Sequence, residues 1–222
     1  MTNDGEWAIF LNGSYGVGKS STLEHIGDLL VEAGQPFSLM DVDWYHRSWP
    51  PAAFDQANQI IEARNMATVW ANYKTAGPRQ LVISGVVESE EDLNRYSAAL
   101  ELAVRPVRLT ASAAITEARL RGRYTATQAA QLDWHIQRYR ELSERLATAG
   151  VDEAIIDTDT RQPIEVASAV LSHFGYDRSA DRGRSAVEVD AGGGADGGYE
   201  RGYGGVGGGA FPVGDAGASA GG

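Results

Sequence analysis

The eight residues 13–20 constrain the fold of this chain more than any other segment. They follow an apolar run that predicts a β-strand at 7–12, and they precede a stretch that predicts a helix near 18–33. In this context the segment is a full match to the pattern Gly-x-x-x-x-Gly-Lys-Ser/Thr. The matched residues are Gly13, Ser14, Tyr15, Gly16, Val17, Gly18, Lys19 and Ser20. A strand, a glycine loop and a helix in this order predict a phosphate-binding loop.

Each residue type in this loop has a chemical task. The glycines let backbone N–H groups converge on a β-phosphate, and the following helix presents the positive end of its dipole to the same anion. Lys19 supplies a point charge that spans the β- and γ-phosphates, and the Ser20 hydroxyl is placed to ligate Mg²⁺. Only two lysines occur in the chain, Lys19 and Lys74, so a high lysine content does not explain the lysine at position 19. We expect residues 13–20, together with Ser21, to bind ATP with Mg²⁺.

Short β-rich runs alternate with longer helical patterns through residues 1–178. The predicted strands are 7–12, 37–42, 80–87, 104–110 and 153–158, and the predicted helices lie near 18–33, 54–75, 89–101, 113–122, 127–149 and 163–174. This alternation predicts an α/β fold with a parallel sheet of about five strands and helices on both faces. Together with the phosphate loop it resembles the three-layer P-loop NTPase fold of small kinases, and that resemblance implies a helical lid. Ligands of such a sheet bind at the carboxyl ends of the strands.

Composition limits the classes of partner. The net charge of −11 argues against a general nucleic-acid or anionic-membrane binder, which needs a broad basic face. The chain has no cysteine, which excludes disulfides and thiolate chemistry and suits a reducing compartment. It also has no uninterrupted apolar run of about 18 residues and no recognisable leader. We therefore expect a cytoplasmic protein that binds small molecules.

The last part of the chain differs in composition from the rest. Of the 27 glycines, 16 fall within residues 179–222, where aliphatic residues are sparse. Such a segment cannot bury enough apolar surface to offset its ordering entropy, so we predict a disordered Gly-rich tail after a domain at 1–178. Tyr199, Tyr203 and Phe211 leave open a weak interaction role for the tail.

The second predicted strand ends in two acidic residues, Asp41 and Asp43. In an extended segment, side chains two positions apart point to the same face about 6.5 Å from each other. Both carboxylates would then face the crevice beside the phosphate loop. One can hold the water shell of Mg²⁺ while the other orients or deprotonates an acceptor hydroxyl. The other interpretation is an acidic turn that only caps the strand.

With the phosphate loop and this Asp-x-Asp pair, the sequence resembles the small P-loop phosphotransferases of the shikimate kinase and gluconate kinase type. Chloramphenicol phosphotransferase and adenylyl-sulfate kinase are relatives of that group, and the resemblance covers most of residues 7–174. It implies that Asp43 is the base for the acceptor hydroxyl and that Asp41 is the carboxylate on the metal side. It also implies that His46, which matches the Asp-x-Asp-x-x-His pattern of gluconate kinases, binds the acceptor.

The sequence departs from the patterns of two members of that group. The segment after the third predicted strand, residues 85–88, lacks the glycine run with which shikimate kinases hold their substrate, so shikimate is not the expected acceptor. The lid sequence of adenylyl-sulfate kinases is not visible either. The third strand lacks the terminal acidic residue with which a motor ATPase holds Mg²⁺, which counts against a motor-type or transporter-type ATPase. Glu88 is interpreted as part of an exposed loop, and a catalytic role is the less favoured alternative.

Arginines concentrate between 105 and 123, in a chain that is acidic overall; they are Arg105, Arg108, Arg119, Arg121 and Arg123. The local inversion of charge suggests an anion site, and small kinases have their lid at this point of the chain. A lid excludes water and brings guanidinium groups to the transferring phosphoryl group. By resemblance, Arg119 lies against the nucleotide and Arg123 at the γ-phosphate, with Gly122 as a hinge. Ordinary surface arginines are the other interpretation.

Three further arginines are candidates on the ligand side. Arg138 resembles in position the substrate-anion arginine of shikimate kinases, although Arg138, Glu141 and Arg145 are also spaced for ion pairs within a helix. Arg161 follows the last strand, where it can stack on the adenine ring or simply belong to a helix-capping segment. Arg64, on the helix predicted at 54–75, is a candidate for acceptor binding.

The aromatic residues Trp44, Tyr45 and Trp49 follow the acidic pair and can form either the walls of an acceptor pocket or part of the core. The sequence as a whole predicts an ATP-dependent kinase that transfers the γ-phosphoryl group to a hydroxyl of a small molecule. The rival prediction is a nucleotide-binding regulatory or accessory ATPase without kinase activity. A polynucleotide kinase is disfavoured because the net charge of residues 1–178 is about −8.

Overall fold

A computed structural model describes residues 6–176 of the protein. The predicted tail at 179–222 lies outside the described residues. The strands are β1 (Trp7–Asn12), β2 (Phe37–Asp41), β3 (Gln80–Ser84), β4 (Ala103–Thr110) and β5 (Ala154–Asp157). The helices are α1 (Lys19–Glu32), α2 (Gln59–Lys74), α3 (Glu90–Leu100), α4 (Ala113–Arg121), α5 (Ala129–Ala149) and α6 (Pro163–His173).

The five strands form one parallel sheet in the order β2-β3-β1-β4-β5. Because side chains alternate along a strand, the apolar run of β1 serves two cores. Ile9 and Leu11 pack in a cluster with α1 and α6, whereas Ala8 and Phe10 pack in a second cluster with α2 and α3. The predicted three-layer α/β fold is confirmed. None of the helices between residues 6 and 176 combines the length and apolar character that a membrane crossing needs.

Buried Asn12 fixes the point where β1 turns into the phosphate loop. Its side-chain nitrogen donates to the Val87 carbonyl at 3.0 Å and to Asp152 Oδ1 at 2.8 Å. Its side-chain oxygen accepts from the backbone N–H groups of Gly13 at 2.9 Å and Val87 at 3.0 Å. One amide therefore joins the carboxyl ends of β1 and β3 to the segment that precedes β5. This anchors the floor of the ligand crevice.

Two elements differ from their predicted bounds by three residues or more. The helix predicted at 54–75 starts only at Gln59, because Asn58 has a φ of 56° and the Asp55 carboxylate caps the new start by accepting from Ile60 and Ile61, each at 3.0 Å. Phe54 consequently lies before α2 and is 76% exposed.

The third predicted strand, 80–87, ends at Ser84, where Gly85 packs against the core. A Cβ added at Gly85 would lie 2.7 Å from Val42 Cγ2 and 2.8 Å from Phe10 Cζ. These neighbours belong to a close-packed cluster and have little room to shift.

Substitution of Gly85 by alanine is therefore expected to destabilise the fold by about 1–3 kcal/mol through overpacking. Urea unfolding followed by circular dichroism measures this loss. Gly122→Ala is the matched control, because its added Cβ would meet only backbone oxygens at 3.6 Å. Equal stability of the two variants would contradict the packing explanation.

Candidate active site

The phosphate loop depends on three glycines with positive φ, which are 149° at Gly13, 75° at Gly16 and 102° at Gly18. Gly13 also has no room for a side chain, since an added Cβ would lie 2.7 Å from the Leu109 carbonyl oxygen. Gly18 caps α1, which starts at Lys19. The N-terminus of α1 therefore emerges directly from the loop, as the pattern predicts for an anion site.

Lys19 spans the loop. Its Nζ donates to the carbonyl oxygens of Gly13 at 2.6 Å and Ser14 at 3.0 Å. Burial lowers the pKa of Lys19 to about 8, and the carboxylates of Asp43 and Asp41 oppose that change. Both acidic residues are therefore electrostatic neighbours of the lysine.

Asp41 and Asp43 reach this place by a different backbone path from the predicted one. β2 ends at Asp41, and Val42–Trp44 form a 3-10 turn in which Asp41 Oδ1 accepts from the Asp43 N–H at 3.1 Å. The predicted extended geometry is wrong, because the Asp41 side chain caps a turn. Burial, followed by the neighbouring charge of Asp43, raises the pKa of Asp41.

Ser20 and Asp41 form a pair of hard oxygen donors. Ser20 Oγ donates to Asp41 Oδ2 at 3.5 Å. Mg²⁺ is usually held by one or two protein oxygens, with waters and substrate phosphates completing the coordination. The hydroxyl and carboxylate beside the phosphate loop fit this ion.

Arg119 connects the phosphate loop to the segment after β5. Its guanidinium donates to Thr158 Oγ1 at 2.9 Å and to the Thr158 carbonyl at 2.8 Å. Weaker contacts reach the carbonyls of Gly16 at 3.5 Å and Val17 at 3.4 Å, and Thr158 Oγ1 donates to the latter at 3.0 Å. The sequence left the segment after β5 open between helix capping and contact with the adenine ring; in the structure its Thr158 is the partner that orients Arg119.

The remaining arginines of the basic stretch separate into different environments. Arg123 is exposed after α4, and its charge contributes to lowering the pKa of Lys19. Arg105 pairs with Glu153 at 2.7 Å, and buried Arg108 lies 3.5 Å from Asp152. Arg121 lies 3.4 Å from Glu117 on its own helix. The basic stretch is thus not one anion site; only Arg119 and Arg123 lie by the phosphate loop.

Beside the phosphate loop lies a cavity of about 390 Å³. Its lining includes Asp43, His46 and Arg138, so three residues predicted for the acceptor side meet there. Arg64 is exposed on α2 and does not line this cavity. Arg161 is exposed after β5, on the same segment as Thr158.

The aromatic wall of the cavity differs from the predicted one. Trp44 is 69% exposed and Trp49 78% exposed, and neither lines the cavity. Tyr15, Tyr96 and Trp134 line it instead. Tyr15 belongs to the phosphate loop, so this loop contributes both to the predicted phosphate site and to the cavity.

Sequence reasoning missed two acidic residues, Glu62 and Glu88, that line the cavity. Glu62 is buried on α2, at helical spacing from the buried residues Met66 and Trp70. An acidic residue on an apolar helix face was the signal that could have identified it. Glu88 was interpreted as exposed loop, yet it pairs with Arg145 of α5, and both line the cavity.

Aromatic contacts join the phosphate loop to the segment predicted as the lid. Tyr15 meets the ring of His135 edge-on at 5.3 Å, and the hydroxyl of Tyr124 lies 2.9 Å from His135 Nδ1. Ser14 Oγ also donates to the Tyr139 carbonyl at 2.8 Å. Helix α5 therefore contacts both the phosphate loop, through Tyr15 and Ser14, and the segment after α4, through Tyr124.

Comparison by sequence finds no matching protein-family model and no matching curated protein. Comparison by structure finds several kinases among the matching solved structures. A sugar kinase from a Janibacter species has a TM-score of 0.51 and 18% identity, over 78% of this chain and 96% of that one. Shikimate kinase from Acinetobacter baumannii, in complex with shikimate, has a TM-score of 0.50 and 18% identity over 76% and 93%.

The APS kinase of Mycobacterium tuberculosis, in complex with AMPPNP and APS, has a TM-score of 0.51 and 16% identity over 77% of this chain and 98% of that one. At such identities the likeness concerns the fold. The parallel sheet, the phosphate loop of residues 13–20 and the likeness to these three kinases all indicate the same fold. The chain has the three-layer α/β fold of the small P-loop kinases.

Proposed function

We propose that the protein is an ATP-dependent phosphotransferase that moves the γ-phosphoryl group of Mg-ATP to a hydroxyl of a small molecule. One observation carries this proposal: Asp43 lines a cavity of about 390 Å³ and is also an electrostatic neighbour of Lys19 in the phosphate loop. A carboxylate between a phosphate site and a second compartment suits proton removal from an acceptor. The kinases found by structural comparison support the same class.

On the nucleotide side, Lys19 and the backbone of residues 13–18 would hold the β- and γ-phosphates. Arg119 would lie against the nucleotide, Arg161 would contact the base, and Arg123 would approach the γ-phosphate. Ser20 and Asp41 are the residues that would hold Mg²⁺. When bound, Mg²⁺ neutralises charge on the phosphate oxygens.

On the acceptor side, Asp43 would accept the proton of the attacking hydroxyl. A bond then forms between the acceptor oxygen and the γ-phosphorus, and the bond from the γ-phosphorus to the bridging oxygen of ADP breaks. His46 and Arg138 would bind the rest of the acceptor. The contacts of Tyr15 and Tyr124 with His135 would hold residues 122–128 over the site and exclude water. Arg64, which lies outside the cavity, has no part in this proposal.

The direct test uses the full chain, Mg²⁺ and ATP labelled on its γ-phosphate, with a panel of sugars, sugar acids, nucleosides and hydroxyl-bearing antibiotics. We expect label to appear on one class of panel compound and transfer to stop when EDTA removes Mg²⁺. ATP binding without transfer to any panel compound would instead favour the nucleotide-binding regulator.

A further inference from the structure

The buried carboxylate of Glu62 lines the proposed acceptor cavity. Glu62 is 6% exposed, and its two oxygens have different partners. Oε1 accepts from the hydroxyl of Tyr96 at 2.6 Å, and Oε2 lies 2.9 Å from Nδ1 of His46. His46 and Tyr96 both line the cavity, as does Glu62. Three chain segments therefore meet at one carboxylate.

The backbone beside the imidazole is also fixed. The side-chain nitrogen of Asn58 donates to the His46 carbonyl at 2.9 Å, and that of Asn65 donates to the Tyr45 carbonyl at 2.8 Å. Asn58 immediately precedes α2 and Asn65 lies in its second turn, so both are close to Glu62 in the chain. The ring of His46 is thus held at its backbone and at Nδ1.

This arrangement selects one tautomer of His46. An ionised carboxylate only accepts hydrogen bonds, so the proton between Glu62 and His46 must lie on Nδ1. The neutral ring then has its lone pair on Nε2, which has no hydrogen-bond partner within residues 6–176. Tyr96 reinforces the selection, because burial and the Glu62 charge raise its pKa and keep its hydroxyl a donor.

Titratable and charged groups near His46 lie on several elements. They are Glu62 on α2, the neutral Tyr96 on α3, Asp43 in the turn after β2, and Arg47 in the following segment. The hydrogen bond to Glu62 is the largest influence and raises the pKa of His46; burial and Arg47 act in the opposite direction. Glu62 therefore controls both the tautomer and the charge of this ring.

We propose that Glu62 and Tyr96 are positioning residues that hold His46 with its proton on Nδ1, so that Nε2 binds a hydroxyl of the phosphate acceptor. The acceptor's part in this inference rests on the proposed kinase function, whereas the tautomer does not. Neutral His46 accepts a hydrogen bond from the acceptor hydroxyl at Nε2. The reacting hydroxyl remains the one whose proton passes to Asp43.

The tautomer is tested by long-range ¹H–¹⁵N spectra of the histidine rings in the full chain, which has four histidines. His46→Gln identifies the His46 signals by their loss. We expect the Nδ1–H pattern in the neutral wild-type ring, and a titration midpoint above 6.5. Glu62→Gln keeps the shape of the side chain but removes its charge, so the His46 pKa is expected to fall, because the hydrogen bond to the Glu62 carboxylate is the largest influence that raises it.

A matched control is available on the protein surface. Asp28→Asn makes the same chemical change beside His25, 3.7 Å away at an exposed site, and is expected to leave the His46 titration unchanged. An Nε2–H pattern in wild type, or an unaltered His46 pKa in folded Glu62→Gln, would overturn the positioning role. If Glu62→Gln does not fold, the wild-type tautomer decides alone.

The acceptor role is tested by kinetics with the panel compound that is phosphorylated fastest. Glu62→Gln is expected to raise the KM for that compound about tenfold and to leave the KM for ATP unchanged, which corresponds to one lost hydrogen bond. A purely structural role would change both constants or neither, and would contradict the assignment. If no panel compound is phosphorylated, the proposed function and the acceptor role of Nε2 fail together, while the tautomer result stands.

Discussion

Lys19→Met is expected to reduce phosphoryl transfer by about 100- to 1,000-fold, the usual effect of removing one preorganised charge from a reacting group. Methionine keeps the aliphatic stem but removes the ammonium that spans the phosphate loop through the Gly13 and Ser14 carbonyls. Mg-ATP affinity should also fall, because that charge would contact the β- and γ-phosphates. Calorimetric titration with Mg-ATP and the labelled-transfer assay measure the two effects.

Lys74→Met is the natural control for this change, since Lys74 is the other lysine of the chain. It is exposed at the end of α2, where its ammonium lies 5.8 Å from the centre of the Trp70 ring. Its loss is expected to leave ATP affinity and transfer unchanged. Equal behaviour of the two variants would mean that the loop of residues 13–20 does not bind the nucleotide.

Asp43→Asn is expected to reduce transfer by about 100- to 10,000-fold while Mg-ATP affinity survives, because an amide cannot accept the proton of the acceptor hydroxyl. Asparagine retains the size of the side chain and the backbone N–H that donates to Asp41 Oδ1. The measurements are transfer to the panel compound and calorimetric Mg-ATP binding. Asp28→Asn, an exposed change on α1, serves as control.

The same variant separates the two candidate functions. A kinase loses transfer when Asp43 loses its charge, whereas a nucleotide-binding regulator keeps its nucleotide affinity and has no transfer to lose. Transfer that persists at the wild-type level in Asp43→Asn would show that a group other than Asp43 removes the proton.

The acceptor side illustrates why sequence reasoning reached only part of the site. The prediction placed Asp41 and Asp43 on one extended face, but the Asp41 carboxylate binds the Asp43 N–H and turns the chain into a 3-10 turn. It grouped Arg105 and Arg108 with the lid arginines, yet they pair with Glu153 and Asp152 before β5. Proximity in sequence does not reveal which partner a long side chain selects.

Local pattern by itself determined the phosphate loop, the order of strands and helices, and the layered fold. These features depend on backbone conformation and on short-range periodicity: glycines permit positive φ at 13, 16 and 18, and the apolar run of β1 dictates burial on two faces. Only the tertiary structure decided the composition of the acceptor cavity. Glu62 and Tyr96 are 34 positions apart and Glu88 and Arg145 are 57 apart, and such contacts form only when the sheet brings separate chain segments together.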